Sequence, residues 1–119
     1  MPVLQTKIDP HSEEFRQNYE HNCKLVEELN ERQAKAREGG GERSQKRMLE
    51  ANKLLPRERL ELLLDADTAF LELSTLAAFG MYDNEAPGSG SINGIGIVSG
   101  VECLVSVNDA TVKGGTSYP

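Results

Sequence analysis

The residues best suited to chemistry in this chain are Lys113-Gly114-Gly115-Thr116, near its end. Two adjacent glycines leave backbone N–H groups open to an approaching ligand, and a neighbouring Lys suits a phosphate or a carboxylate. The same four residues also read as a structural Gly-rich turn with an exposed Lys, and spacing alone does not separate the two. Gly94-Ile95-Gly96-Ile97-Val98-Ser99-Gly100 comes near a nucleotide-binding loop. Its last Gly falls one residue late for GxGxxG, and its alternation places it inside a hairpin rather than between a strand and a helix. Cys23 and Cys103 lie 80 positions apart without CxxC spacing, and read as reduced, largely buried thiols. His11 and His21 are ten apart, which fits no helical metal pair, so both read as solvated side chains. No Ser-His-Asp or Cys-His set is evident.

Strands must hold the terminal run in place. Ile92 to Val98, then Ser99-Gly100, then Val101 to Asn108 forms a hairpin pattern. Ile95 and Ile97 alternate with Gly94 and Gly96, and Val101, Cys103, Val105 and Val107 alternate with more polar residues. Two strands alone are marginal, so the hairpin is expected to join a larger sheet. Phe70-Leu71-Glu72-Leu73 supplies a short strand, and Ala77 to Gly90 reads as a loop.

Helices precede the strands. Asp9-Pro10 and Ser12-Glu13-Glu14 form a start signal, because Asp or Ser accepts an early backbone N–H and acids suit the positive helix end. Phe15, Tyr19, Cys23 or Asn22, Val26 and Leu29 then make a narrow apolar stripe on a helix of about 25 residues, roughly 38 Å long. So thin a stripe calls for a partner surface in another domain or subunit. Gly39-Gly40-Gly41 stops the helix. A second helix runs from Glu42 to about Glu50, ending near Asn52, which tolerates positive φ. A third starts at Pro56, with Leu60, Leu63 and Leu64 on a face expected to dock on the sheet.

Composition sets the outer bounds. The 119 residues carry 13 Lys+Arg against 19 Asp+Glu, a net charge of −6, which limits the chain to one domain at most and argues against nucleic acid as a partner. With 38% hydrophobic and 5% aromatic residues there is little apolar surface for a large independent core. No apolar run reaches the roughly 20 residues that span a bilayer, and Met1 to Asp9 lacks a secretory apolar core, so no membrane association is expected. Charge divides unequally at Leu64, with 12 basic and 12 acidic residues before it and 1 basic and 7 acidic after it. The interleaved charges of the first part read as solvated helix faces. The chain ends soon after a strand, where an α/β protein launches a crossover helix, so the sequence is expected to be cut short.

Several blocks, in order, resemble one family. They are Gly39-Gly40-Gly41-Glu42, Lys53-Leu54-Leu55-Pro56-Arg57-Glu58-Arg59, Phe70-Leu71-Glu72-Leu73, Met81-Tyr82-Asp83-Asn84-Glu85, Gly94-Ile95-Gly96, Val98-Ser99-Gly100-Val101-Glu102-Cys103 and Asn108-Asp109-Ala110-Thr111-Val112-Lys113-Gly114-Gly115. Together they resemble the carboxyltransferase (beta) subunits of biotin-dependent acyl-CoA carboxylases, the 3-methylcrotonyl-CoA type in particular. The chain departs from that pattern in four places. Asp65-Ala66-Asp67-Thr68-Ala69 replaces Asp-Pro-Gly-Ser-Pro, Asn52 replaces Gly, Ile97 stands where Arg is expected, and Ser117 stands for an aromatic. The last two leave the acyl group open, with geranyl-CoA, propionyl-CoA or another acyl-CoA as alternatives.

The resemblance implies an α/β chain in which N-terminal helices, residues 1–64, precede the first strands of a crotonase-like (ClpP/crotonase) β-β-α superhelix. Residues 65–119 would then be the incomplete start of the carboxyltransferase N-terminal domain. It implies transfer of a carboxyl group from carboxybiotin to an acyl-CoA, 3-methylcrotonyl-CoA in leucine catabolism, through an enolate whose oxyanion is held by backbone N–H groups. One such donor is worth about 3 to 4 kcal/mol of barrier. The family's oxyanion loops would lie downstream of Pro119, so no catalytic residue and no bound metal is expected in this segment, which alone would be inactive. Lys113, Gly114, Gly115 and Thr116 would line the acyl-CoA side of the site. Biotin would be carried by a partner alpha subunit with biotin carboxylase activity, and the beta subunits would form a homo-oligomer, in the cytoplasm or, in a eukaryote, the mitochondrial matrix. A rival reading from the residues alone is a non-enzymatic helical interaction module with a small β tail. It explains residues 12–64 and leaves the hairpin and the terminal block without a reason.

Overall fold

The computed structural model describes residues 3 and 5–116, and its contacts divide the chain into two compact units, Met1–Arg32 and Gln33–Pro119. Ser117, where the family pattern has an aromatic, lies outside the described residues.

Ser12 opens helix α1, Glu13–Arg37, of which the residues up to Arg32 belong to the first unit, by accepting the Phe15 N–H on its hydroxyl at 3.1 Å. Glu13 and Glu14 occupy the positive end and Lys35 and Arg37 the negative one. Arg16 pairs with Glu13 and Arg32 with Glu28 along the surface. Phe15 and Tyr19 stack with ring centroids 6.3 Å apart. No residue of α1 is buried, and Tyr19, Val26 and Leu29 of the stripe are exposed. Both histidines are exposed, as read, whereas Cys23 and Cys103 are free and only half-buried.

The second unit carries the sheet. Helix α2, Glu42–Glu50, starts after Gly41, and the chain leaves it through Asn52 at φ 55°, the left-handed exit. Helix α3, Pro56–Leu63, begins with proline, and the Glu58 carboxylate reaches back to accept the Leu55 N–H at 2.7 Å. Strands β1 (Leu71–Leu73), β2 (Ser91–Val98) and β3 (Val101–Asn108) form an antiparallel sheet in the order β1-β2-β3. The hairpin therefore has the third strand that it needs. Ser99 and Gly100, at φ 53° and 77°, give the two-residue turn whose left-handed torsions match strand twist. Asp65 clamps that turn. Its two carboxylate oxygens accept the Ser99 and Gly100 N–H groups at 2.7 Å each, and its own N–H donates to Ile97 O at 2.9 Å.

Register decides which face is buried. Gly94 stands opposite Val105 and Gly96 opposite Cys103, so both glycines share a face with Ile92, Val105 and Val107, which are buried together with Leu60. Ile95 and Ile97 point to the other face, where Leu71, Ile95 and Leu104 form one cross-strand row. Leu71 and Leu104 in that row are exposed.

The glycines are required where they are. A Cβ on Gly94 would stand 2.2 Å from Phe70 Cζ and 2.6 Å from Leu71 O, and one on Gly96 would stand 2.5 Å from a Leu64 methyl. Phe70 and Leu64 thus lie flat on bare backbone. Of the α3 leucines expected on the core face, Leu60 is buried and Leu64 packs against the core, but Leu63 is exposed. The helix stops at Leu63, and extended torsions at Leu64 (φ −74°, ψ 148°) swing that side chain onto the sheet instead. Glu72 shares the glycine face, where Arg57 of α3 holds it by two bonds of 3.0 and 2.8 Å.

Gly94→Ala is expected to destabilise the fold by about 1 to 3 kcal/mol, because the new methyl meets both a ring and a backbone oxygen. Urea denaturation with an unchanged slope would measure it.

Candidate functional site

Antiparallel pairing of Ser91 with Asn108 brings two Gly-rich segments together at the hairpin end remote from Ser99-Gly100. One precedes β2, the 3₁₀ turn Pro87–Gly90, and the other follows β3 and includes the 3₁₀ turn Lys113–Gly115. The Asp109 N–H donates to Gly90 O at 2.8 Å and extends the pairing one step beyond the strands. Gly90 is buried, and a Cβ there would stand 3.2 Å from Thr116 O. With φ at 73° as well, the position favours glycine.

Both segments are left-handed. Gly88, Ser89 and Gly90 have φ 61°, 54° and 73°, while Lys113, Gly114 and Gly115 have φ 46°, 74° and 89°. For Lys113 such a torsion costs on the order of 1 kcal/mol, which surrounding contacts must offset. At the turn the Gly115 N–H donates to Val112 O at 2.9 Å, and Thr116 Oγ1 donates to Lys113 O at 3.0 Å. Asn108 Nδ2 adds a bond to Gly115 O at 3.2 Å. The Lys113 ammonium pairs with the Glu85 carboxylate. Glu85 is itself presented by the turn Tyr82–Asn84, whose three residues are all left-handed, and Asn84 Oδ1 there accepts the Gly80 N–H at 2.7 Å.

Of the four residues singled out by sequence, Lys113, Gly114 and Thr116 are exposed and Gly115 is half-buried. They occur together on one turn. A cation, open backbone and a hydroxyl make a surface suited to binding an anionic group, and the Thr116 hydroxyl donates to a backbone carbonyl rather than to a general base. Sequence reading missed Glu85 as a partner of Lys113, because the two are 28 residues apart and no local pattern joins them. It also missed Asp109 and Thr111, which support the turn from beneath.

A small cleft is lined by Arg57, Glu72, Thr75, Pro87, Ser91 and Asp109. Its side chains do not fit a biotin ring: Arg57 is committed to Glu72, and Asp109 to Thr111. No step of carboxyl delivery is therefore assigned to these residues. Among the described residues no group of three or more His, Cys, Asp or Glu is placed to hold a metal, and no helix is long and apolar enough to cross a membrane.

A family model described as the carboxyl transferase domain matches residues 47–119, which takes in α3, the sheet and the terminal turn. The chain is 58% identical over 96 residues to the biotin-dependent 3-methylcrotonyl-coenzyme A carboxylase beta1 subunit of Mycobacterium tuberculosis, a match that covers 81% of this chain and 18% of that protein. Among solved structures it is similar to the beta subunit of P. aeruginosa geranyl-CoA carboxylase, with a TM-score of 0.67 and 36% identity over 98% of this chain and 22% of that one. A transcarboxylase 12S structure with hydrolysed methylmalonyl-coenzyme A bound gives a TM-score of 0.66 at 33% identity, over 76% of this chain and 18% of that one. The chain thus spans about a fifth of the length of the curated relatives that it matches. The expected fold class, helices followed by antiparallel strands of a crotonase-like α/β fold, stands. The interaction-module reading falls behind, because the family match runs through the hairpin and the terminal block.

Glu85→Gln is expected to change stability by less than about 1 kcal/mol, since both side chains of the Glu85–Lys113 pair are substantially exposed. Thermal melts at low and at 0.5 M salt would test this, and a larger loss would mark the pair as structural.

Proposed function

The chain belongs to the carboxyl transferase domain family, and on that premise we propose that it forms part of a beta-type carboxyltransferase subunit acting on an acyl-CoA. The subunit moves a carboxyl group from carboxybiotin, held on a biotin-carrying alpha subunit, to the carbon conjugated with the thioester. 3-Methylcrotonyl-CoA is the acyl-CoA that the likeness favours, and the 58% identity to a 3-methylcrotonyl-coenzyme A carboxylase beta1 subunit is the observation that carries this choice. Carboxylation of such a substrate passes through a dienolate whose charge falls on the thioester oxygen, and backbone donors outside residues 1–119 stabilise it. This chain's own part is binding. Lys113, Gly114, Gly115 and Thr116 face the acyl-CoA, with the Lys113 ammonium meeting an anionic group of the coenzyme. Beta subunits associate with one another in the assembly, as transcarboxylase 12S does in its hexamer.

A second acyl-CoA has specific support, because the geranyl-CoA carboxylase beta subunit shares the whole fold of this chain and Ile97 departs from the Arg expected at its position. Ile97 lies on the sheet face opposite the glycines, in register with Glu102.

In the intact carboxylase, Lys113→Ala is expected to raise KM for acyl-CoA about two- to fivefold with kcat little changed, the loss of one solvent-screened ionic contact. Unchanged KM and kcat would remove Lys113 from the site. Assayed on 3-methylcrotonyl-, geranyl- and propionyl-CoA, the enzyme is expected to show its highest kcat/KM on the first. A preference for either of the others would overturn the choice of substrate but leave the reaction class in place.

A further inference from the structure

Left-handed at Lys113, Gly114 and Gly115, the Lys113–Thr116 turn depends on what braces it. Its immediate support is buried: Asp109 and Thr111 are 8% and 5% exposed, and Val112 is fully buried. Asp109 Oδ1 accepts both the Thr111 N–H at 2.9 Å and the Thr111 hydroxyl at 2.5 Å. The same Thr111 hydroxyl oxygen accepts the Gly40 N–H at 2.9 Å, from a turn 71 residues earlier in the chain. Its proton and a lone pair are thus both committed, so the group has one orientation.

Glycine makes the approach possible. A Cβ on Gly40 would stand 1.7 Å from Thr111 O, and one on Gly39 would stand 2.5 Å from Asp109 Oδ2 and 2.6 Å from Thr111 Oγ1. The Gly39-Gly40-Gly41 turn, which the sequence explains as a helix stop, is therefore also a docking surface for residues 109–112. Gly40 lies against the Thr111 backbone and Gly39 against the Asp109 and Thr111 side chains, and the Thr111 hydroxyl hydrogen-bonds to both sides of the contact.

Resting on the acyl-CoA reading of the turn, we propose that Thr111 is a positioning residue that, through Asp109 and Gly40, sets the Lys113–Thr116 turn in the orientation that meets acyl-CoA. Thr111 itself touches no substrate. A hydroxyl bonded to a carboxylate is worth more than a neutral pair, and its removal takes the partner from the half-buried Gly40 N–H bond and one of two donors from the buried Asp109 Oδ1.

The test uses the intact carboxylase. Thr111→Val keeps the shape and removes the hydroxyl; it is expected to raise KM for acyl-CoA about fivefold with kcat changed less than about twofold, and to speed amide exchange over residues 109–116. Thr111→Ser restores the hydroxyl and is expected to return both to near the parent values. Should Thr111→Val fail to assemble, Thr111→Cys against Thr111→Ser carries the same comparison, since the two match in shape and differ in hydrogen-bonding strength. The Cys variant is then expected to show the higher KM. A KM unchanged in Thr111→Val, or equal in the Cys and Ser variants, overturns the proposal. Lys113→Ala separates the two levels. If it raises KM while Thr111→Val does not, the brace alone fails; if it leaves KM unchanged, the acyl-CoA reading fails and the role of Thr111 fails with it.

Discussion

The absence of a side chain at Gly94 and Gly96 is the constraint on which the second unit turns. The central strand offers its glycine backbone to Phe70 and Leu64, which lie closer to it than any Cβ would permit. Burial there is achieved with few large residues: Leu60, Ile92, Val105 and Val107 at the centre, with Leu64, Phe70, Val98 and Cys103 around them. A chain with 5% aromatic residues can form a packed layer in this way because the strand itself fills the space that a side chain would otherwise occupy.

From that layer both ends of the hairpin follow. Leu64 docks on Gly96, and the next residue, Asp65, is delivered to the Ser99-Gly100 turn, where its carboxylate satisfies two N–H groups at once. At the far end the pairing of Ser91 with Asn108 carries the Gly-rich segments on either side into contact. The Lys113 turn thus follows the strand register and rests on the buried Asp109-Thr111 support. Strain at Lys113 and along Tyr82–Asn84 is tolerated because neighbouring contacts hold those residues where they are.

A surface of this kind suits binding rather than bond making. It presents one cation with an acidic partner, a hydroxyl and open backbone. Chemistry that depends on backbone donors leaves few side-chain marks, which is why the terminal block was identified by its resemblance and its glycines rather than by any set of acids, bases or nucleophiles.

Local signals in the sequence were sufficient for the elements. Ser12 with two following acids, Gly39-Gly40-Gly41, Asn52, Pro56 and Ser99-Gly100 each act within a few residues, through capping, missing donors or positive φ, and each marks a boundary found in the structure. The order of motif blocks identified the family, and Lys113 to Thr116 were placed together by adjacency. Which face of the hairpin is buried was a different matter. Alternation offers Ile95 and Ile97 as core candidates, but register with β3 turns them outward and puts Gly94 and Gly96 inside. Leu63, the last helical residue, is likewise exposed, while Leu64 beyond the helix end packs against the core. Contacts between residues far apart in the chain, such as Gly40 with Thr111, Asp65 with Ser99 and Arg57 with Glu72, carry no local signal at all. Types and boundaries are governed by interactions along the chain, so the sequence alone determined them; facing, register and the support of the terminal turn are governed by which surfaces fill each other's space, and only tertiary packing decided those.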